Sequence, residues 1–271
     1  MRFSAKSLLG ATALTAAFWA TDDAAAVQVR ITVENLAPAG SVAIAPLRFG
    51  FGDGTFDAFD VGSPAPLLGA ASIADAPIVS IAEGGSGATW FPAFEAAEPD
   101  ADLGSVLGPE IPPFRPGDVA SAVFEIDPAN RYFTFATMVV PSNDHFLGND
   151  SPFAFEVFDA DGNLILNEIV EDASRIWDAG SETENPLNAA FLVVGNNAQR
   201  EDENDPVTFN FADLAAFDGL ETAAGYTFDA GLLSADTPVI RIGFEIVPEP
   251  TGVALLVSAM SLVAASRRRR A

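Results

Sequence analysis

Arg131-Tyr132-Phe133-Thr134-Phe135-Ala136-Thr137-Met138-Val139-Val140 is the stretch on which the fold turns. Aromatic and β-branched residues recur at every second position over ten residues, the period of a strand and not of a helix. Just upstream, Val119-Ala120-Ser121-Ala122-Val123-Phe124-Glu125-Ile126 alternates less regularly, and Asp127-Pro128-Ala129-Asn130 lies between. Asp, Pro and Asn in that order make a turn, so the two runs are predicted to form a hairpin. Further out, Val27-Gln28-Val29-Arg30-Ile31-Thr32-Val33-Glu34 alternates strictly, Ala43 to Phe51 is rich in β formers, and Pro238 to Val247 supplies a last strand. Phe153 to Phe158 runs into Asp159-Ala160-Asp161-Gly162-Asn163 and resumes at Leu164, a second hairpin signal.

Helical pattern is sparse. Pro66 to Ala76, Leu187 to Val194 and Phe211 to Leu220 are predicted as short helices or helical turns, and Glu95 to Pro116 as the most loop-like stretch. The 22 phenylalanines and 19 prolines suit many short strands joined by loops. The expectation is an all-β chain, an antiparallel β-sandwich with short helical turns.

Composition removes several classes of function. The 271 residues carry 38 acids against 13 bases, a formal charge of -25, so a phosphate backbone is repelled and no nucleic-acid partner is expected. There is no cysteine, which excludes disulfides, thiolate metal sites and cysteine nucleophiles. The single histidine, His145, excludes a zinc site built from several histidines. Beside Asp144 it suggests a catalytic pair, but no nucleophile elbow accompanies it, so it reads as a surface histidine on a loop.

The two ends read as addresses. Met1-Arg2-Phe3-Ser4-Ala5-Lys6, the apolar run Leu8 to Ala20 and Ala24-Ala25-Ala26 have the three parts of a secretory signal peptide, residues 1–26, cut after Ala26. At the other end, Val247-Pro248-Glu249-Pro250 precedes an apolar stretch from Gly252 to Ala265 and then Arg267-Arg268-Arg269-Arg270. That stretch is shorter than the roughly 20 residues a comfortable membrane crossing takes, but snorkelling arginines shorten the requirement. Four arginines place their own end in the cytoplasm and the preceding domain outside the inner membrane. Residues 27–250, between the two end segments, hold 36 acids and seven bases. A surface of that kind suits an exterior where cations screen self-repulsion.

The tail resembles the PEP-CTERM sorting signal of Gram-negative bacteria over residues 248–271, with Pro248-Glu249-Pro250 as the motif, then the helix and the basic end. The resemblance implies an exosortase as processing partner, transient anchoring in the inner membrane, and delivery to the cell surface or an exopolysaccharide matrix.

Two polar breaks carry the candidate chemistry. Val139-Val140-Pro141-Ser142-Asn143-Asp144-His145-Phe146 and Ile176-Trp177-Asp178-Ala179-Gly180-Ser181-Glu182-Thr183 each leave a hydrophobic stretch for a loop bearing carboxylates. Loops at one end of a sandwich cluster, and calcium takes several hard oxygens in loose geometry at about 2.3–2.6 Å. These segments, with Val29 to Leu36, Arg131-Tyr132-Phe133 and Phe158 to Asn163, resemble the spondin domain over most of residues 27–247. That resemblance implies a C2-like sandwich of antiparallel sheets with calcium among three acids at one edge. Carried over, the metal ligands are Asp144, Asp178 and Glu182, the last standing where the family has aspartate. It further implies a non-enzymatic adhesive or structural protein of surface or biofilm matrix. A hydrolase of matrix polysaccharide and an inert matrix component are the alternatives. Asp159-Ala160-Asp161-Gly162-Asn163 hints at an EF-hand loop, but Val170 stands where a bidentate glutamate is required, so a hairpin turn is expected there. Gly50-Phe51-Gly52-Asp53-Gly54 lacks the lysine and helix start of a phosphate loop.

Overall fold

The computed structural model describes residues 26–65, 72, 75–109 and 113–248. The signal peptide up to residue 25, the sorting signal beyond Pro248 and most of the helix expected at 66–76 lie outside them. No helix among the described residues is long and apolar enough to cross a membrane.

The chain forms two antiparallel sheets packed face to face. The strictly alternating run at the start becomes β1 (Val27–Asn35), with Val29, Ile31 and Val33 buried. It pairs on one side with β5 (Val119–Ile126) and on the other with β11 (Pro238–Ile246), which in turn pairs with β8 (Glu168–Asp172). The sheet order is β5-β1-β11-β8. The second sheet has the order β10-β9-β7-β6-β3-β4. Its strands are β3 (Leu47–Gly52), β4 (Asp102–Val106), β6 (Tyr132–Val140), β7 (His145–Gly148), β9 (Trp177–Asp178) and β10 (Thr208–Phe209). A short β2 (Ala43–Ile44) also pairs with β6.

Phenylalanines fill the space between the sheets. Phe51 and Phe133 from the larger sheet meet Phe244 from the smaller, with ring centroids 6.1 and 4.9 Å apart. Every residue of β6 from Phe133 to Val140 is buried, because its other face is covered too. There α1 (Pro77–Ala82) and α2 (Trp90–Ala97) bring Ile78, Ile81, Trp90 and Phe94 into a second apolar layer with Phe56, Phe59, Phe146 and Trp177. A strand covered on both faces loses its polar side and reads as nearly continuous hydrophobic sequence.

The structure corrects several expectations. Asp127–Asn130 is a turn, closed by the Asn130 amide on the Asp127 carbonyl (2.9 Å), but β5 and β6 do not pair. β5 joins β1, and β6 lies between β3 and β7, so the turn carries the chain from one sheet to the other. β5 keeps Val119 and Val123 exposed at a sheet edge, whereas β6 requires cover on both faces. One sheet position cannot satisfy both strands. The stretch Glu95 to Pro116 is not a loop throughout: it finishes α2 and contains β4, held to β3 through Leu47 opposite Val106. Leu187 to Val194 forms turns and isolated bridges, Ser142 with Ala190 and Leu192 with Thr222, in place of a helix. Phe211–Phe217 is a 3-10 helix. The second hairpin is present in minimal form, with Phe158 bridging Leu164 and Gly162 in the left-handed region at φ 78°. Within it, Asp159 Oδ1 accepts the amides of Asp161 and Asn163, so that carboxylate serves its own turn.

Candidate metal centre

β6 ends at a cis Val140–Pro141 bond, and the chain turns through Ser142, Asn143 and Asp144 into β7. Ser142 Oγ donates to the Val139 carbonyl and accepts the His145 amide at 3.2 Å, which tightens the turn. β7 pairs with β9 so that His145 lies opposite Asp178, and β9 pairs with β10 so that Asp178 lies opposite Thr208. Three chain segments distant in sequence thus arrive at one end of the larger sheet.

The segment after β9 folds back over this end. The amides of Ser181 and Glu182 and the Ser181 hydroxyl all donate to Asp144 Oδ2, at 2.7, 3.0 and 3.1 Å. Asp144 has no exposed surface, and its other oxygen, Oδ1, is buried with no hydrogen-bond partner. Opposite it, 3.9 Å away, is Nδ1 of His145, equally buried and equally without a hydrogen-bond partner. The far nitrogen of the ring, Nε2, lies 2.9 Å from the Asn210 carbonyl. A carbonyl only accepts, so that contact assigns the ring proton to Nε2 and leaves a bare lone pair on Nδ1.

Among the described residues, two sets of three ligating side chains bring their ligand atoms within 4.8 Å of one another. One is Asp144, His145 and Glu184; the other is Asp178, Glu184 and Asp213. Glu184 belongs to both. The buried set could hold a metal ion. Asn210, at the start of the 3-10 helix after β10, ties the sets together. Its amide donates to Asp178 Oδ2 at 3.3 Å and to Asp213 Oδ2, while its carbonyl takes the histidine proton.

Charge is poorly accommodated here without a cation. Burial, and then the negative charge of Asp178, push the Asp144 carboxyl up to about 7 against the opposing pull of the donors on Oδ2. Glu184 is pushed up to about 7 by burial and then by Asp178, with Asp144 adding to the effect. A divalent ion among these groups reverses that balance, because each carboxylate then faces a positive charge.

Of the residues anticipated from sequence, Asp144 and Asp178 lie at this centre on adjacent strand ends. Glu182 belongs to neither set. It is buried, and its Oε1 accepts the Asn143 amide at 3.2 Å. Burial, the Asn143 bond and the charges of Glu83 and Arg200 set its environment, with a net rise to about 7. Glu83 and Arg200 are themselves paired at 2.7 Å. His145, expected on an exposed loop, is the first residue of β7 and wholly buried, because the strand starts directly after Asp144 and Asn210 covers its ring edge. Glu184 and Asn210 carried no distinguishing sequence signal. Glu184 is one acid of an acidic run, and Asn210 is visible only as a polar residue ahead of Phe211.

Neither a model of a known protein family nor a curated protein matches this chain.

Proposed function

We propose that this chain is an exported β-sandwich of the spondin type, displayed on the cell surface or in an exopolysaccharide matrix, whose metal centre takes calcium to lock one end of the sandwich. The observation that carries this reading is the wholly buried Asp144 carboxylate with one oxygen lacking any donor, set among carboxylates from three separate segments. Asp178, Glu184 and Asp213, the all-oxygen set next to Asp144, supply hard oxygens from a strand end, a loop and a 3-10 helix, and calcium accepts loose geometry of that kind. Asp178 takes the role expected from sequence, Asp144 lies in the adjoining set, and Glu184, common to both sets, takes the place of Glu182. The export address is supported by the basic-apolar-small start and by Pro248-Glu249-Pro250 ahead of the arginine end. The role is adhesive or structural, with the locked end of the sandwich as the presented surface.

Thermal melting of chelator-stripped protein, with and without calcium, tests the reading. Linkage predicts a gain of about 2.7 kcal/mol at a calcium concentration about one hundred times Kd. Equal midpoints contradict it. Retention on native exopolysaccharide with calcium, lost in chelator, separates adhesion from a purely structural role.

A further inference from the structure

The inner corner of the centre differs in chemistry from its rim. The set of Asp178, Glu184 and Asp213 offers only oxygen, and Asp213 is exposed. The set of Asp144, His145 and Glu184 includes a nitrogen and is closed off from solvent at Asp144 and His145, which have no exposed surface. Asp144 Oδ1 and His145 Nδ1 can each donate an electron pair to a cation, and both are buried without a hydrogen-bond partner. At 3.9 Å they are too far apart for a hydrogen bond, even for a doubly protonated ring. The separation is within the span of two bonds to one ion, about 2.0 Å from nitrogen and about 2.0–2.2 Å from oxygen for zinc. Hydrogen bonding of the remote ring N–H to a backbone carbonyl is how proteins orient a metal-ligating histidine, and Asn210 supplies that carbonyl. Imidazole nitrogen suits borderline first-row ions, whereas calcium and magnesium favour oxygen alone.

We propose that Asp144, His145 and Glu184 form a separate inner site for a borderline divalent transition ion of the zinc class, with the Glu184 carboxylate shared between it and the calcium position at the rim. This rests on the reading that this end of the sandwich holds cations, and adds a second ion of different chemistry. No redox step is involved; the inner ion pins β7 to the segment that follows β9. The calcium site outside it is thereby held together from behind.

Cobalt(II) is the probe, since it takes zinc-type sites and is visible spectroscopically. The full chain, untagged and stripped with chelator, is titrated with cobalt in saturating calcium. The expected result is one equivalent bound with a visible absorption band and a further rise in melting temperature. His145→Asn abolishes band and rise while keeping the calcium-induced shift, and Asp213→Asn weakens the calcium shift while keeping the band. A wild-type protein that responds to calcium but gives no cobalt band overturns the inner site and leaves the calcium reading standing. Response to cobalt without calcium does the reverse, and response to neither removes both. A cobalt band that persists in His145→Asn also overturns the proposal. Should that variant fail to fold, proton NMR of the cobalt-loaded wild type decides. The chain has a single histidine, so a paramagnetically shifted imidazole N–H must come from His145, and its absence contradicts the assignment.

Discussion

Glu98 and Asp144 are both carboxylates sealed inside the protein, 6% and 0% exposed, yet they sit in opposite circumstances. Glu98 follows α2 and reaches the turn after β3, where its Oε2 accepts the Asp53 amide and its Oε1 the Phe56 amide, each at 2.5 Å. Gly52 makes that approach possible, since a Cβ there would run into the carboxylate. Both oxygens of Glu98 are therefore met by the protein's own donors. Asp144 has three donors on Oδ2 and none on Oδ1, which faces a bare nitrogen and further carboxylates. Burial of an acid is thus no sign of a site by itself. An acid whose donors are incomplete, with other ligating side chains converging on it, marks a place that could hold a cation.

The contrast can be broken in three ways. Glu98→Ala strips two charge-assisted bonds and leaves the Asp53 amide and the buried Phe56 amide without that partner, which costs about 3 kcal/mol in urea unfolding. The loss is the same with calcium or chelator, and a calcium-dependent loss would merge the two regions.

Next in size is the pH response of cation-free protein. Asp144, Glu182 and Glu184 are raised to about 7 and Asp57 to about 6, by burial in each case before any neighbouring charge. Between their ordinary values near 4 and these raised ones, the unfolded chain has released protons that the fold retains, so stability falls as pH rises and levels off above about 7. In melting experiments the protein should be more stable at about pH 5 than at about pH 8, because each of these carboxyls keeps its proton in the fold over that interval while the unfolded chain has released it. Calcium should shrink the decline by favouring the ionised carboxylates at the centre, leaving the share due to Glu182 and Asp57. A flat profile without calcium contradicts the account of strained acids.

The smallest effect concerns Asn210, whose side-chain amide steadies Asp178 and Asp213 without being a ligand. Asn210→Ala retains the carbonyl that holds His145 and should weaken calcium binding about tenfold, as loss of such supporting bonds does. Calorimetric titration reads this directly, and an unchanged affinity would show that the two acids need no support.

Much of the fold was legible in residue order. The alternation of Val29, Ile31 and Val33, and of the residues in β6 and β11, set out strands that the structure contains at nearly those bounds. Sheet partners were not legible. Asp127–Asn130 reads equally as a hairpin turn or a crossing between sheets, and only the need of β6 for cover on both faces decides between them. At the centre, the two polar breaks are legible because each interrupts a hydrophobic run, while singling out Asp144 and Asp178 within them takes the resemblance to the spondin domain. Glu184 did not, since Glu182 and Glu184 lie in the same acidic run. In the structure Glu182 Oε1 takes the Asn143 amide, whereas Glu184 brings its carboxylate within reach of Asp144 and His145. His145 defeats the reading as a surface residue because the loop before it, Ser142 to Asp144, is itself buried beneath the segment that follows β9, so a polar loop here is not an exposed one.

The central claim is that Glu184, the carboxylate common to both ligand sets, and not its near neighbour Glu182, completes the cation site. Calorimetric titration of calcium into chelator-stripped wild type, Glu184→Gln and Glu182→Gln tests it most directly. Wild type and Glu182→Gln should bind with closely similar affinity, while Glu184→Gln loses most of the binding. Loss in Glu182→Gln with retention in Glu184→Gln would contradict the account.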